Sequence, residues 1–201
     1  MKKLIVMTAL ALFGAQFAKA QFSKGDVLLG GNLNVSTSSN KVDGADKKAT
    51  ATSFGISPKV GVALNETWMI GVFAETRFGS SKDVLDVKTK TTAITPGVFV
   101  RNYHMIGNSN FAFFGEANAA YNYEQNKKAD KKINDVNGFK VAVAPGISYF
   151  ITKKFMVEGM FGGISYAYDV TKAADGGAKV KGSNFNFDFP KEFKVGVNFI
   201  F

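Results

Sequence analysis

The chain has 201 residues, no cysteine and a formal net charge of +9 at pH 7. This length suits one domain, and the missing cysteines exclude disulfide bonds and a cysteine-linked lipid anchor. Lysines are interleaved with aspartates instead of being gathered into one basic stretch, a pattern that disfavours a nucleic-acid-binding protein.

The first 20 residues have the layout of a secretory signal peptide. Two lysines precede an apolar run, and the small-x-small triplet at 18–20 comes directly before Gln21. The apolar run is shorter than the roughly 20 residues that a transmembrane helix needs. We therefore predict a signal peptide at 1–20, cleavage between Ala20 and Gln21, and one mature domain at 21–201.

Polar segments and short breaks alternate along the rest of the chain and leave eight apolar runs. Long polar loops that alternate with tight turns are typical of an up-and-down antiparallel meander. Each run is long enough for a tilted strand to cross a bilayer, which takes roughly 9 to 11 residues. The pattern predicts an all-β, eight-stranded transmembrane barrel with strands at residues 26–36, 51–63, 68–79, 92–103, 111–123, 138–150, 155–168 and 185–201.

Within these runs, large apolar residues alternate with small or polar ones. The last stretch, 193–201, places five large residues on one face and Lys194, Gly196, Asn198 and Ile200 on the other. The small face of other runs carries about one charge, whereas a soluble surface is roughly a quarter to a third charged. We therefore expect the large face to meet lipid and the small face to fill a narrow lumen. A soluble periplasmic ligand-binding barrel, with the apolar face inside, is the alternative.

Aromatic residues are predicted to form two bands at the membrane interfaces. In the seventh run, Tyr166 and Tyr168 would share the lumen face of Glu158, so we expect a bulge at 162–163 that turns both tyrosines outward. Three prolines on the large face, Pro58, Pro96 and Pro145, suggest bulges or bends at one height. The expected bands are Trp68, Tyr103, Phe111, Tyr149 and Phe155 at the tight-turn end, and Phe78, Tyr121, Tyr123, Tyr166 and Tyr168 at the loop end.

The alternation also sends charged residues into the lumen. Buried charges are costly unless they are paired, so we expect an ion-pair network that plugs the barrel. Arg101 and Glu116 flank one tight turn and should approach each other across it. A gated path or small-solute porin is the alternative function. The predicted network consists of Lys59, Glu75, Arg77, Arg101, Glu116, Lys140, Glu158 and Lys194.

Catalytic and metal-binding patterns are weak in this sequence. The one histidine, His104, falls in a predicted turn, and the loop aspartates are accompanied by lysines. We therefore expect no catalytic residue, no cofactor and no metal site. The loop lysines suit either anionic lipopolysaccharide phosphates or simple solvation, and the near balance of charge within each loop favours solvation.

The signal peptide, the terminal aromatic strand and the hairpin units that begin Pro58-Lys59-Val60-Gly61 and Pro145-Gly146-Ile147-Ser148 resemble the small outer membrane protein β-barrel domain family. That family is related in architecture to the OmpX and OmpA barrels. The resemblance implies a bacterial outer-membrane location, periplasmic termini, extracellular long loops and contact with outer-membrane lipid. It also implies that Phe199 and Phe201 belong to the signal read by the outer-membrane assembly machinery. We expect a monomer with a structural or surface-interaction role and no enzyme activity.

Overall fold

The computed structural model describes residues 22–41, 48–84, 86–129, 131–174, 176–187 and 193–201, so the predicted signal peptide and its cleavage point lie outside it. Ten strand segments form eight barrel strands, because β7 with β8 and β9 with β10 are each two parts of one strand. The segments are β1 Val27–Asn40, β2 Ala49–Ala63, β3 Trp68–Lys82, β4 Lys88–Met105, β5 Phe111–Lys128, β6 Lys131–Thr152, β7 Phe155–Phe161, β8 Ile164–Ala173, β9 Val180–Phe187 and β10 Phe193–Ile200.

The sheet closes on itself through the pairing of β1 with β10. Both run antiparallel, from Leu28 opposite Ile200 to Leu33 opposite Val195. Backbone bonds of 2.9 and 3.0 Å between Val27 and Phe201 extend this seam. The predicted eight-stranded antiparallel barrel is therefore confirmed, and the seam removes the two edges that an open sheet would expose.

The large apolar residues lie on the outside of the barrel. Val98 and Val143 are 56% and 58% exposed, whereas Leu28 and Met156, on the inner face, are fully buried. No helix within the described ranges is long and apolar enough to cross a membrane. The outward apolar face confirms the predicted orientation and contradicts the soluble ligand-binding barrel, which requires that face inside.

Several strands extend further than predicted into the polar segments. β5 continues to Lys128 and β6 begins at Lys131, so most of the expected loop at 124–137 is a hairpin. Polar side chains support the pairing there: Thr91 donates to Asn126 at 2.6 Å, and Asn126 donates to Asn134 at 3.0 Å. Such cross-strand pairs stabilise a sheet without any apolar face, so the hairpins rise beyond the aromatic bands.

The bulge expected at Gly162 and Gly163 is confirmed. The barrel strand is interrupted between β7 and β8, and its register with β6 shifts by one residue there. Met160 is consequently buried in the lumen, whereas Tyr166 and Tyr168 are exposed on the outer face. A shift of one residue reverses the face of every later side chain.

Contrary to expectation, the strand register does not shift at Pro58 or Pro96. The pairing of β2 with β3 and of β4 with β5 keeps one register on both sides of Pro58 and Pro96. Only the ladder positions at the prolines are missing, because proline has no N–H to donate. Of the expected bulges or bends, bulges at Pro58 and Pro96 are therefore wrong, whereas Pro145 lies beside the confirmed bulge in the neighbouring strand.

The tight-turn half of the lumen holds an aromatic core. Phe22 packs against Tyr103 and Phe150, with ring centroids 4.7 and 5.6 Å apart. Tyr103 is only 2% exposed, so its assignment to the interfacial band is wrong. The side chain shares the inward parity of Arg101 two residues earlier, and it closes the lumen instead of facing lipid.

Candidate functional site in the barrel lumen

Four charged side chains meet near the middle of the lumen. Lys59, Arg101, Glu116 and Glu158 project inward from β2, β4, β5 and β7 because each lies on the smaller-residue face of its strand. Each is at most 3% exposed. Arg101 and Glu116 are direct cross-strand partners in the β4–β5 hairpin, so the backbone register itself brings them together.

Arg101 binds both carboxylates of this group, which we call the charge cluster. Its Nη2 lies 2.6 Å from Glu116 Oε2, and its Nη1 lies 2.6 Å from Glu158 Oε2. Lys59 Nζ lies 2.6 Å from the same Glu116 oxygen. The planar guanidinium suits two carboxylates at once, and the cluster holds two positive and two negative charges, so it is neutral as a unit.

Aromatic rings enclose the charge cluster. The guanidinium of Arg101 lies 4.2 Å from the centroid of Phe114, and Lys59 Nζ lies 5.0 Å from that of Phe99. Arg101 Nη1 also donates to the hydroxyl of Tyr103 at 2.7 Å. These rings exclude water and strengthen the ion pairs. The sequence signal that would have revealed them is the parity of β4 and β5, where the rings share the face of the predicted charges.

An apolar layer lies between the charge cluster and the tight turns. It contains Phe22, Leu28, Met69, Phe150, Met156 and Ile200, all at most 4% exposed. Buried apolar side chains offer an ion no polar groups to replace its hydration shell. Two successive buried layers therefore line this half of the lumen, one mainly apolar and one charged.

On the other side of the charge cluster the lumen opens into a cavity of about 380 Å³. Glu75 and Lys194 line this cavity and form an ion pair, with 3.1 Å between Lys194 Nζ and Glu75 Oε2. Arg77 and Glu124 also line it and form an ion pair at 2.6 Å. Glu124 is not among the predicted network residues, although its position on β5 directs it inward. Lys140 lines the same cavity and forms no ion pair with any described residue.

The eight predicted network residues thus separate into groups. Four of them form the charge cluster, and Glu75 and Lys194 form a separate ion pair. Arg77 pairs with Glu124, which the prediction did not include, and Lys140 forms no ion pair with any described residue. His104 lies within β4 rather than in a turn. Among the described residues, no group of three or more His, Asp or Glu side chains is placed to hold a metal ion.

Comparison with known proteins gives a consistent fold. A family model described as an outer membrane protein beta-barrel domain matches residues 5–201. The crystal structure of the outer membrane protein OprG from Pseudomonas aeruginosa is 21% identical, with a TM-score of 0.52, over 91% of this chain and 99% of OprG. Neisserial surface protein A is 16% identical, with a TM-score of 0.51, over 89% of this chain and 98% of that protein. No curated protein sequence matches the chain.

Proposed function

The chain belongs to the outer membrane protein β-barrel domain family, and from that premise we propose that it is an integral, non-enzymatic barrel of the bacterial outer membrane with a sealed lumen. Its role in this proposal is structural or one of surface interaction. The proposed orientation has both termini and the tight turns in the periplasm and the long hairpins outside the cell.

The observation that carries this proposal is the double layer inside the barrel. A conducting pore needs a continuous polar path, whereas here a buried, neutral charge cluster lies on a packed apolar layer. Each charge is held by at least one partner at 2.6 Å. Moving any one of them out of the lumen would leave the buried cluster with a net charge, and this cost keeps the lumen shut.

The proposed partners follow from the outer surface. Its apolar band meets outer-membrane lipid, and lipopolysaccharide is the expected neighbour of the extracellular hairpins. Phe199 and Phe201 are 49% and 68% exposed on the outer face at the closing seam. This position leaves both rings accessible to the assembly machinery before closure. The large outward residues between the two aromatic bands can be covered by acyl chains, so we propose a monomer.

Location and closure are tested together on outer-membrane fractions. We expect the protein to remain in the membrane after a carbonate wash and to migrate differently on gels before and after boiling in detergent. Paired backbone groups around a closed barrel resist detergent until heated, which explains the expected shift. Release by carbonate, or identical migration of boiled and unboiled samples, would refute the integral barrel.

A small-solute porin is the second candidate, and the cavity of about 380 Å³ on the hairpin side is the observation that favours it. Single-channel recording in planar bilayers separates the two candidates. The sealed barrel shows no stable open level, whereas a porin shows discrete open levels in the wild-type protein. The variant Lys140→Gln is the matched probe, because Lys140 lines the cavity outside the charge cluster and should alter ion selectivity only if ions pass.

A further inference from the structure

Among the described residues, seven lysines lie on the outward face of the hairpins, beyond the loop-end aromatic band. We call them the outer lysine patch. Their orientation follows from strand parity: Lys82 shares the face of exposed Phe78, and Lys127 shares that of exposed Tyr123. Cross-strand partners share a face, so the others follow from the registers. The patch consists of Lys82, Lys88, Lys90, Lys127, Lys132, Lys172 and Lys181, the last being the cross-strand partner of Val170.

The spacing between the aromatic band and the outer lysine patch is regular. Phe78 precedes Lys82 by four residues, as Tyr123 precedes Lys127 and Tyr168 precedes Lys172. Four residues of strand span about 13 Å. A strand tilt of about 40° reduces this to roughly 10 Å along the membrane normal. Aromatic rings mark the edge of the hydrocarbon, so the ammonium groups stand at the depth of phosphate-bearing headgroups.

The patch brings like charges face to face. Lys127 is the direct cross-strand partner of Lys90 on one side and of Lys132 on the other. Paired residues have Cβ atoms about 5 Å apart, and like charges at that distance destabilise a sheet. Two carboxylates offset part of the charge: Asp86 pairs with Lys82 at 3.0 Å and Asp135 with Lys132 at 2.5 Å. Neither Lys127 nor Lys172 forms an ion pair with any described residue.

The near balance of charge in the sequence conceals this arrangement. Glu124 and Asp169 belong to the same hairpins, but both line the internal cavity. Asp83 and Asp86 lie in the turn between β3 and β4, outside the strands. Asp135 remains on the outward face, opposite Lys172 and paired with Lys132. Among the described residues, the outward face of these hairpins still carries more lysines than carboxylates. An anionic partner on the membrane side would relieve the repulsion among neighbouring lysines.

We propose that the outer lysine patch binds the phosphate groups of glycolipids in the outer leaflet. This inference rests on the proposed outer-membrane location and orientation. Lysine is a flexible point charge on a long apolar stem, so each side chain can bend toward the headgroups while its stem covers the apolar strand surface. Basic residues at an anionic membrane surface attract it in proportion to their number, and salt weakens the attraction.

The hairpin between β5 and β6 supplies a matched pair of variants. Lys127 and Lys132 face outward as cross-strand partners, and one rung further along Lys128 and Lys131 are partners on the inward face. Lys127→Gln with Lys132→Gln, and Lys128→Gln with Lys131→Gln, remove the same charge from adjacent rungs. The full-length barrel in uncharged detergent is titrated with fluorescent diphosphoryl lipid A and with lipid A from which the phosphates have been removed.

We expect the outward double variant to bind diphosphoryl lipid A about thirtyfold more weakly than the wild type. The inward variant should stay within a factor of three, and high salt should weaken wild-type binding most. Equal losses in both variants would reduce the effect to net charge and overturn the proposal. Equal binding of dephosphorylated lipid A by the wild type would also overturn it, without relying on any variant. The gel-mobility shift of each sample tests barrel closure separately. A failure to bind lipid A would therefore overturn only this inference and would leave the proposed location untouched.

Discussion

At the level of single residues, Arg101 is the side chain on which the lumen depends. It holds Glu116 and Glu158 at once, and both carboxylates are buried. Replacing it by alanine leaves two buried negative charges with only Lys59 nearby. We expect Arg101→Ala to lower the free energy of unfolding by about 3–5 kcal/mol, measured by urea titration in lipid vesicles with Trp68 fluorescence as the signal.

The matched control for Arg101 is Arg77. This arginine also pairs with a glutamate at 2.6 Å, but its side chain is 48% exposed. Ion pairs in contact with water contribute little, so Arg77→Ala should cost no more than about 1 kcal/mol. Equal losses for the two variants would show that burial does not set the strength of these pairs.

The same residues show how far the sequence alone could lead. Strict alternation placed Lys59, Arg101, Glu116 and Glu158 on inner faces, and a one-residue bulge correctly placed Tyr166 outside. Position near a strand end places Tyr103 in the aromatic band, whereas its parity with Arg101 requires the inner face, and parity decides its orientation. The contact of Arg101 with Glu116 follows from their equal distances to one tight turn and is confirmed. The contacts of Arg101 with Glu158 and of Lys59 with Glu116 join strands that are not consecutive, and no local pattern in the sequence encodes them.

At the level of elements, the β7–β8 bulge depends on a glycine. A Cβ at Gly163 would lie 2.0 Å from the backbone oxygen of Val143, a contact that no side chain can relieve. We expect Gly163→Ala to reduce the folded fraction strongly, measured as the heat-modifiable band in outer-membrane extracts. Gly182→Ala, in β9, is the control, since its added methyl group meets nothing within 4 Å. Normal folding of the Gly163 variant would remove the packing explanation of the bulge.

The polar hairpins are the elements for which the sequence reading was least accurate. The lack of apolar residues predicts loops at segments such as 124–137, yet threonine and asparagine pairs hold them as strands. Hydropathy identifies membrane-facing strands from their contact with lipid. A strand exposed to water needs no apolar face, so its sequence lacks the hydropathy pattern of a membrane-facing strand. Cross-strand side-chain pairs stabilise it instead, and the sequence of one strand alone does not reveal its partners.

The closing strand gives a second prediction for an element. Phe201 makes two backbone hydrogen bonds with Val27 at the seam. Deleting it removes both bonds and one exposed ring, so we expect less folded protein in the outer membrane, measured by the same gel shift. Phe187→Ala, which removes an outward ring of β9 that is 62% exposed, should fold nearly normally. Normal insertion of the deletion variant would count against a special role for Phe201.

For the whole molecule, trypsin treatment of intact cells tests the orientation. Lys128 and Lys131 flank the β5–β6 turn, which the proposed orientation places outside the cell, whereas Lys153 and Lys154 occupy the tight turn after β6. We expect cleavage at the first pair and protection of the second until the outer membrane is permeabilised. Cleavage at Lys153 or Lys154 in intact cells would reverse the orientation.

The seam between β1 and β10 also has a kinetic consequence. Every other pairing joins strands that are neighbours in the chain or parts of neighbouring strands, whereas this one joins the two ends. Contacts between distant residues form slowly because a long loop must close first. Barrel formation should therefore proceed hairpin by hairpin, and the pairing of β10 with β1 should set the rate at which the barrel closes.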